Sequence, residues 1–154
     1  MQEVVRVTVT PRREMVAVVN AGLEALCRVR NTPQDDAKRL QLAVEEVFLY
    51  ALSTIKTSKH NADISARFRV QDDGFQVVIE YPGIRGPLDH YLRTDQLHLL
   101  QVKTFEALGL CMAGKLLDSL EARYWPQEGI NSYVLSLNAS GKKAGHGETP
   151  RQPA

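Results

Sequence analysis

The chain has 154 residues, 19 of them basic and 18 acidic, for a formal net charge of +1. That length fits one domain burying roughly 68–70% of the surface its unfolded form exposes, so no metal or disulfide staple is needed. The charge balance excludes a field that would hold nucleic acid or an anionic membrane, and any partner must be recognised by shape.

In the opening MQEVVRVTVT an early acid is followed by alternation, which is read as no signal peptide and as a strand over 4–9. Val5, Val7 and Val9 share one face of it; Val4, Arg6 and Thr8 share the other. Thr10-Pro11 turns the chain into a helix from Met15 to Val29, with Arg28 and Arg30 suited to its C-terminus. Thr32-Pro33 with Asp35 and Asp36 opens the next helix, Thr32 serving as N-cap and Pro33 as first helical residue. After the polar run Thr57 to Asn61 the period becomes two. Ile64, Ala66, Phe68 and Val70, a turn at Gln71-Asp72-Asp73-Gly74, then Phe75, Val77 and Ile79 predict a hairpin. Two prolines and two glycines between Pro82 and Pro87 end it.

Leu88 to Val102 has apolar residues without a clean period and is expected to be a mobile, lid-like connection with short helical pieces. A third helix is predicted over Phe105 to Ser119. A second hairpin, Leu120–Trp125 and Ser132–Leu137, closes around Pro126-Gln127-Glu128-Gly129. The resulting order is β-α-α-β-β-α-β-β. The tail from Asn138 to Ala154 is expected to be disordered, no apolar run reaches the ~20 residues of a membrane span, and a cytoplasmic location is expected. Cys27 and Cys111 sit in helical apolar patterns without metal or redox spacing and are read as buried free thiols. His60, His90, His98 and His146 are scattered, although His90 and His98 have the spacing to share a helix face, and no metal site is expected.

The segment that organises the chain is Leu40 to Ile55. Ala37, Leu40, Val44, Val47, Phe48, Ala51 and Ile55 form one apolar stripe that needs a sheet to cover it. Glu46 and Tyr50, four apart, are neighbours on the side away from the stripe, flanked by Leu42, Leu49 and Ser53. They are read either as a solvated rim with a half-buried tyrosine or as a functional surface.

With three local motifs, this order resembles the GHKL (histidine-kinase-like) ATP-binding fold over about residues 4–137, and specifically the anti-sigma-factor serine kinases of bacterial partner switching. The helix motif, an acid followed four residues later by asparagine, stands as Val44-Glu45-Glu46-Val47-Phe48-Leu49-Tyr50-Ala51; Glu46 matches and Tyr50 departs. The D-x-G-x-G motif stands as Tyr81-Pro82-Gly83-Ile84-Arg85, with only Gly83 kept. The G-x-G-[LI] turn stands as Ala107-Leu108-Gly109-Leu110, with its second glycine kept. The resemblance implies an α+β two-layer sandwich, a mixed, mainly antiparallel sheet of four to five strands with three main helices on one face, in a single domain over 1–137. Glu46 and Tyr50 would then point into a cleft near Gly83 and Gly109.

The resemblance also implies roles. The family's asparagine holds Mg²⁺, the acid before it helps order the attacking group, the motif aspartate accepts a hydrogen bond from the adenine amine, and the glycine turns approach the phosphates. Glu46 is thus the catalytic residue of an active enzyme, and Tyr50, Tyr81, Gly83, Arg85, Gly109 and Leu110 occupy the positions that would bind ATP and Mg²⁺. Tyr50 offers only a neutral phenol where the metal wants an oxygen ligand at about 2.0–2.1 Å, and Tyr81 cannot replace a carboxylate acceptor. Losing two charge-assisted contacts would cost about 3–6 kcal/mol, enough to take a micromolar site to about millimolar. Arg85 would offset part of this by pairing with phosphate. A pocket narrowed by Tyr50 and Tyr81, with Arg85 at its mouth, is expected.

Two functional readings follow. One is a protein-binding relative with weak or lost ATP binding, docking on a sigma factor or an anti-sigma-factor antagonist through the helical face and the Leu88 to Val102 connection, with Tyr91 and Leu92 as anchors. The other is an active serine-protein kinase of such an antagonist. The resemblance also implies a homodimer, to which the first helix would contribute.

Overall fold

The computed structural model describes residues 1–58, 61–93 and 96–138. Five strands, β1 (Gln2–Val9), β2 (Ile64–Gln71), β3 (Gly74–Pro82), β4 (Ser119–Trp125) and β5 (Ile130–Asn138), combine with helices α1 (Val16–Val29), α2 (Gln34–Ser58) and α3 (Phe105–Leu116). The sheet order is β1-β2-β3-β5-β4. Every neighbouring pair is antiparallel, so among the described residues the expected mixed sheet has no parallel pair. The β4–β5 hairpin returns after α3 and inserts β5 beside β3, which places Tyr133 opposite Ile79 and Asn131 opposite Tyr81.

Period-two burial gives the sheet its inner face. Ile64, Ala66 and Phe68 of β2, Val77, Ile79 and Tyr81 of β3, and Tyr133, Leu135 and Leu137 of β5 are buried together. On the other face Arg67 bonds Glu80 and reaches toward Glu3, and Arg69 bonds Gln76, so charged and polar stems cover that side. α1 reaches the core with Val19, Leu23 and Cys27. α3 begins where Thr104, in extended geometry, accepts a hydrogen bond from the Ala107 N–H at 3.1 Å. It stops at Leu116, short of the predicted Ser119, because Ser119 already pairs in β4.

α2 differs most from its sequence pattern. Beyond the expected stripe, Ala43, Tyr50, Leu52 and Thr54 are buried too, because α1 and α3 pack along its flanks while β3 and β5 lie beneath it. Tyr50 is therefore a core residue, and the half-buried rim reading does not hold. Cys27 is buried as expected, whereas Cys111 is only half-buried. The predicted connection contains two short 3-10 turns, Asp89–Tyr91 and Leu97–Leu99; His90 and His98 fall on these separate turns and share no helix face. His60, His146 and the tail beyond Asn138 lie outside the described residues. Among the described residues no helix is long and apolar enough to cross a membrane.

Phe68 is fully buried beneath α1, its ring 3.4 Å from where a Cβ on Gly22 would stand. Phe68→Ala leaves a cavity that neither the sheet nor α1 can fill, and a loss of about 3–5 kcal/mol is expected. Urea unfolding followed by circular dichroism checks this; a loss under about 1 kcal/mol would contradict the packing.

Candidate functional site

Three tyrosines from three elements meet one carboxylate. Tyr50 of α2, Tyr81 at the end of β3 and Tyr133 of β5 are 2%, 2% and 0% exposed. Tyr133 sits between the other two, with ring centroids 5.5 Å from Tyr50 and 5.8 Å from Tyr81 in tilted contacts. Asp89, from the first 3-10 turn, closes the group. Its Oδ1 accepts from the Tyr50 hydroxyl at 2.7 Å and the Tyr133 hydroxyl at 3.0 Å, and its Oδ2 accepts from the Gly86 N–H at 3.0 Å. The Tyr50 hydroxyl oxygen accepts in turn from the Leu88 N–H at 2.9 Å. Tyr133 has a single proton and gives it to Asp89, so the 2.7 Å contact between Tyr81 and Tyr133 is donated by Tyr81.

Electrostatics follow from this burial. Burial pushes the Tyr81 hydroxyl up to about 12, and burial with the nearby Asp89 charge pushes Tyr50 and Tyr133 upward as well. All three are neutral donors at physiological pH. Burial also raises the Asp89 carboxyl, against the pull of Tyr50, Tyr133, the Gly86 N–H and the Arg85 charge, which favour its charged form.

The chain after β3 is laid over this cluster and fastened along its length. The Gly83 N–H donates to the Gly129 carbonyl at 2.8 Å, Asn131 Nδ2 donates to the Ile84 carbonyl at 2.8 Å, and the Ala122 N–H donates to the Leu92 carbonyl at 2.8 Å. Gly86 must be glycine, since a Cβ there would run into the Tyr50 hydroxyl and Asp89 Oδ1. Leu92 is fully buried and Leu100 nearly so. The connection folds back on the core, and Leu92 is a plug, which corrects its reading as a docking anchor. Arg85 is exposed, stacked 4.9 Å from the centre of the Tyr124 ring.

Glu46, Gly109 and Leu110 lie between α2 and α3, and Tyr50 borders the groove there with Glu46 and Gly109. The Glu46 carboxylate covers Gly109, where any Cβ would strike it, so this glycine sits inside α3 as a close-packing position and not in a turn facing phosphate. Leu110 is fully buried in the core. Burial, reinforced by Glu45, raises the Glu46 carboxyl. A groove of about 660 Å³ runs along these helices, and its rim is apolar: Phe105 is 89% exposed, Leu108 44% and Met112 49%.

The structure thus brings Tyr50 and Tyr81 together, sets Glu46 against Gly109, and leaves Gly83 and Arg85 at the sheet end beside β4 and β5. Sequence reasoning missed Tyr133, Asp89 and Gly86. Tyr133 carried a signal in the period-two pattern of its strand, which puts it on the inner face with Leu135 and Leu137. Asp89 carried only that of one of two acids in a connection rich in leucine.

The residues present do not fit ATP with Mg²⁺. The asparagine position holds a buried phenol already committed to Asp89 and Leu88, and the adenine-acceptor position holds a phenol committed to Tyr133. The one carboxylate in the cluster, Asp89, has its oxygens taken by three donors.

Tyr50→Phe removes a donor to Asp89 and the acceptor of the Leu88 N–H. It is expected to cost about 2 kcal/mol in urea unfolding, the scale of a hydrogen bond to a charged group. It should also raise the folded-state Asp89 pKa further, because a donor that favours the carboxylate is lost. A carboxyl raised on folding gives its full contribution to stability below its unfolded value of about 3.9, and that contribution is lost as pH rises through the folded value. In the variant the loss extends to higher pH. Carboxyl-carbon NMR titration reads the shift, and an unmoved Asp89 would contradict the bond.

No family model matches the chain, and no curated protein does. Solved structures do. The RsbU and RsbW domains of a Mycobacterium tuberculosis protein match at TM-score 0.60 and 13% identity, over 88% of this chain and 33% of that one. The chain thus spans about a third of that relative. A chain of the SiaB–SiaC complex from Pseudomonas aeruginosa matches at TM-score 0.62 and 12% identity, over 85% of this chain and 88% of that one. The catalytic domain of the histidine kinase ThkA matches at TM-score 0.49 and 13% identity, over 88% and 97%. With its β-α-α-β-β-α-β-β order, the chain has a GHKL-like α+β fold.

Proposed function

We propose that this chain is a bacterial regulatory domain of the partner-switching type that acts by binding protein, with Mg²⁺-dependent ATP use lost. The observation that carries the reading is the hydrogen-bonded group of Tyr50, Tyr81, Tyr133 and Asp89, which fills the space between α2 and the sheet where the resemblance would put nucleotide and metal. Opening it would strand three phenols and a carboxylate, and each buried polar group left unpaired costs about 1–3 kcal/mol.

The docking face is the groove between α2 and α3. Phe105, Leu108 and Met112 stand out of it, while Glu46, Glu106, Arg13 and Lys56 line it with balanced charge. Exposed apolar clusters of this kind mark partner surfaces. The partner is a sigma factor or an anti-sigma-factor antagonist; support comes from the fold shared with an RsbW-containing structure and with a chain solved in a two-protein complex.

Two measurements test this. Calorimetry with ATP, with and without Mg²⁺, is expected to show no Mg²⁺-dependent binding up to about 1 mM. Micromolar Mg²⁺-dependent binding would overturn the reading and restore a kinase with Glu46 as its base. Against purified sigma factors and antagonists of the source bacterium, Phe105→Asp with Met112→Asp is expected to weaken binding by about a hundredfold, as loss of central apolar anchors does. Unchanged affinity would move the interface elsewhere.

A further inference from the structure

A second cavity, of about 380 Å³, lies on the far side of the connection from α2, between the first 3-10 turn and β4. Arg85 and Arg93 come from the connection and Arg123 from β4, joined by His90, Gln96 and Tyr124. Among the described residues Arg85 and Arg93 have no carboxylate within ion-pair distance, and Arg123 has only the exposed Glu121 of its own strand, at 3.6 Å. Asp89, the single acid among the described residues lining the cavity, turns its oxygens inward to Tyr50, Tyr133 and the Gly86 N–H. Three guanidinium groups therefore border one concavity in a chain whose net charge is only +1.

We propose that this cavity binds a phosphate monoester. Guanidinium forks pair with phosphate oxygens two at a time, and a compact dianion engages several at once, which a single carboxylate does not. Tyr124 holds the Arg85 guanidinium over its ring at 4.9 Å, limiting the freedom that binding would otherwise have to remove. The volume admits a phosphate and a small attached group. The phosphate is carried either by a free small molecule or by a phosphorylated side chain, and the test separates these sources. The site is distinct from the cleft closed by the tyrosines and does not depend on the proposed docking groove.

Titration of the labelled full chain by two-dimensional NMR tests the proposal, with inorganic phosphate, O-phosphoserine, a phosphoserine peptide and its unphosphorylated form as probes. Saturable shifts confined to residues 85–93 and 122–124 are expected with the phosphorylated probes, weakening as salt rises. Arg93→Ala with Arg123→Ala should lower affinity about tenfold or more while leaving the urea midpoint unchanged. Lysine at both positions should recover part of it, since charge returns without the fork. Tighter binding of the phosphopeptide than of O-phosphoserine assigns the phosphate to a protein, and equal binding assigns it to a free monoester; either supports the site. No saturation by about 10 mM, shifts spread over the whole surface, equal binding of the unphosphorylated peptide, or full affinity in the double alanine variant would each overturn it.

Discussion

The Asp89 carboxylate holds the functional half of the molecule in its present form. It accepts from Tyr50 on α2, Tyr133 on β5 and the backbone of Gly86, so one side chain ties helix, sheet and connection together. A buried carboxylate is tolerated only when its oxygens are satisfied, and the Tyr50 and Tyr133 hydroxyl protons have their acceptor only while Asp89 is in place. The requirement is mutual. It explains why Gly86 admits no side chain and why the connection lies flat against the core, with Leu92 buried beneath it.

The fold was legible because its elements announce themselves by period. Two hairpins alternate, and three helices repeat apolar residues at helical spacing. The site was legible only in part. Tyr50 and Tyr81 stood out as bulky replacements at motif positions, but their meeting through Tyr133 and Asp89 depends on β5 inserting beside β3, a long-range pairing that no local pattern encodes. Tyr50 also falls off the apolar stripe, because a single stripe assumes one covered face. α2 is covered by the sheet and by helices on its flanks, which buries residues that the stripe excludes. Gly109 falls within the helix that its periodicity predicts, and the turn implied by the family motif is not what forms there: it is a packing position under Glu46.

The closed cluster separates two surfaces with different chemistry. On one side the α2–α3 groove presents an apolar rim with balanced charges, suited to shape-led protein contact. On the other the connection presents arginines toward β4 with little carboxylate compensation. Both are bordered by elements that Asp89 and the tyrosines fasten, so either surface is pre-organised by the hydrogen-bonded core between them.

Hydrogen exchange of the connection, with and without ATP and Mg²⁺, tests the central claim most directly. If the cluster is permanently closed, the Gly86 and Leu88 amides, which donate to Asp89 and Tyr50, exchange slowly in the free protein and at the same rate with nucleotide present. Fast exchange in the free protein that becomes protected only when ATP and Mg²⁺ are added together would show a working lid and contradict the account.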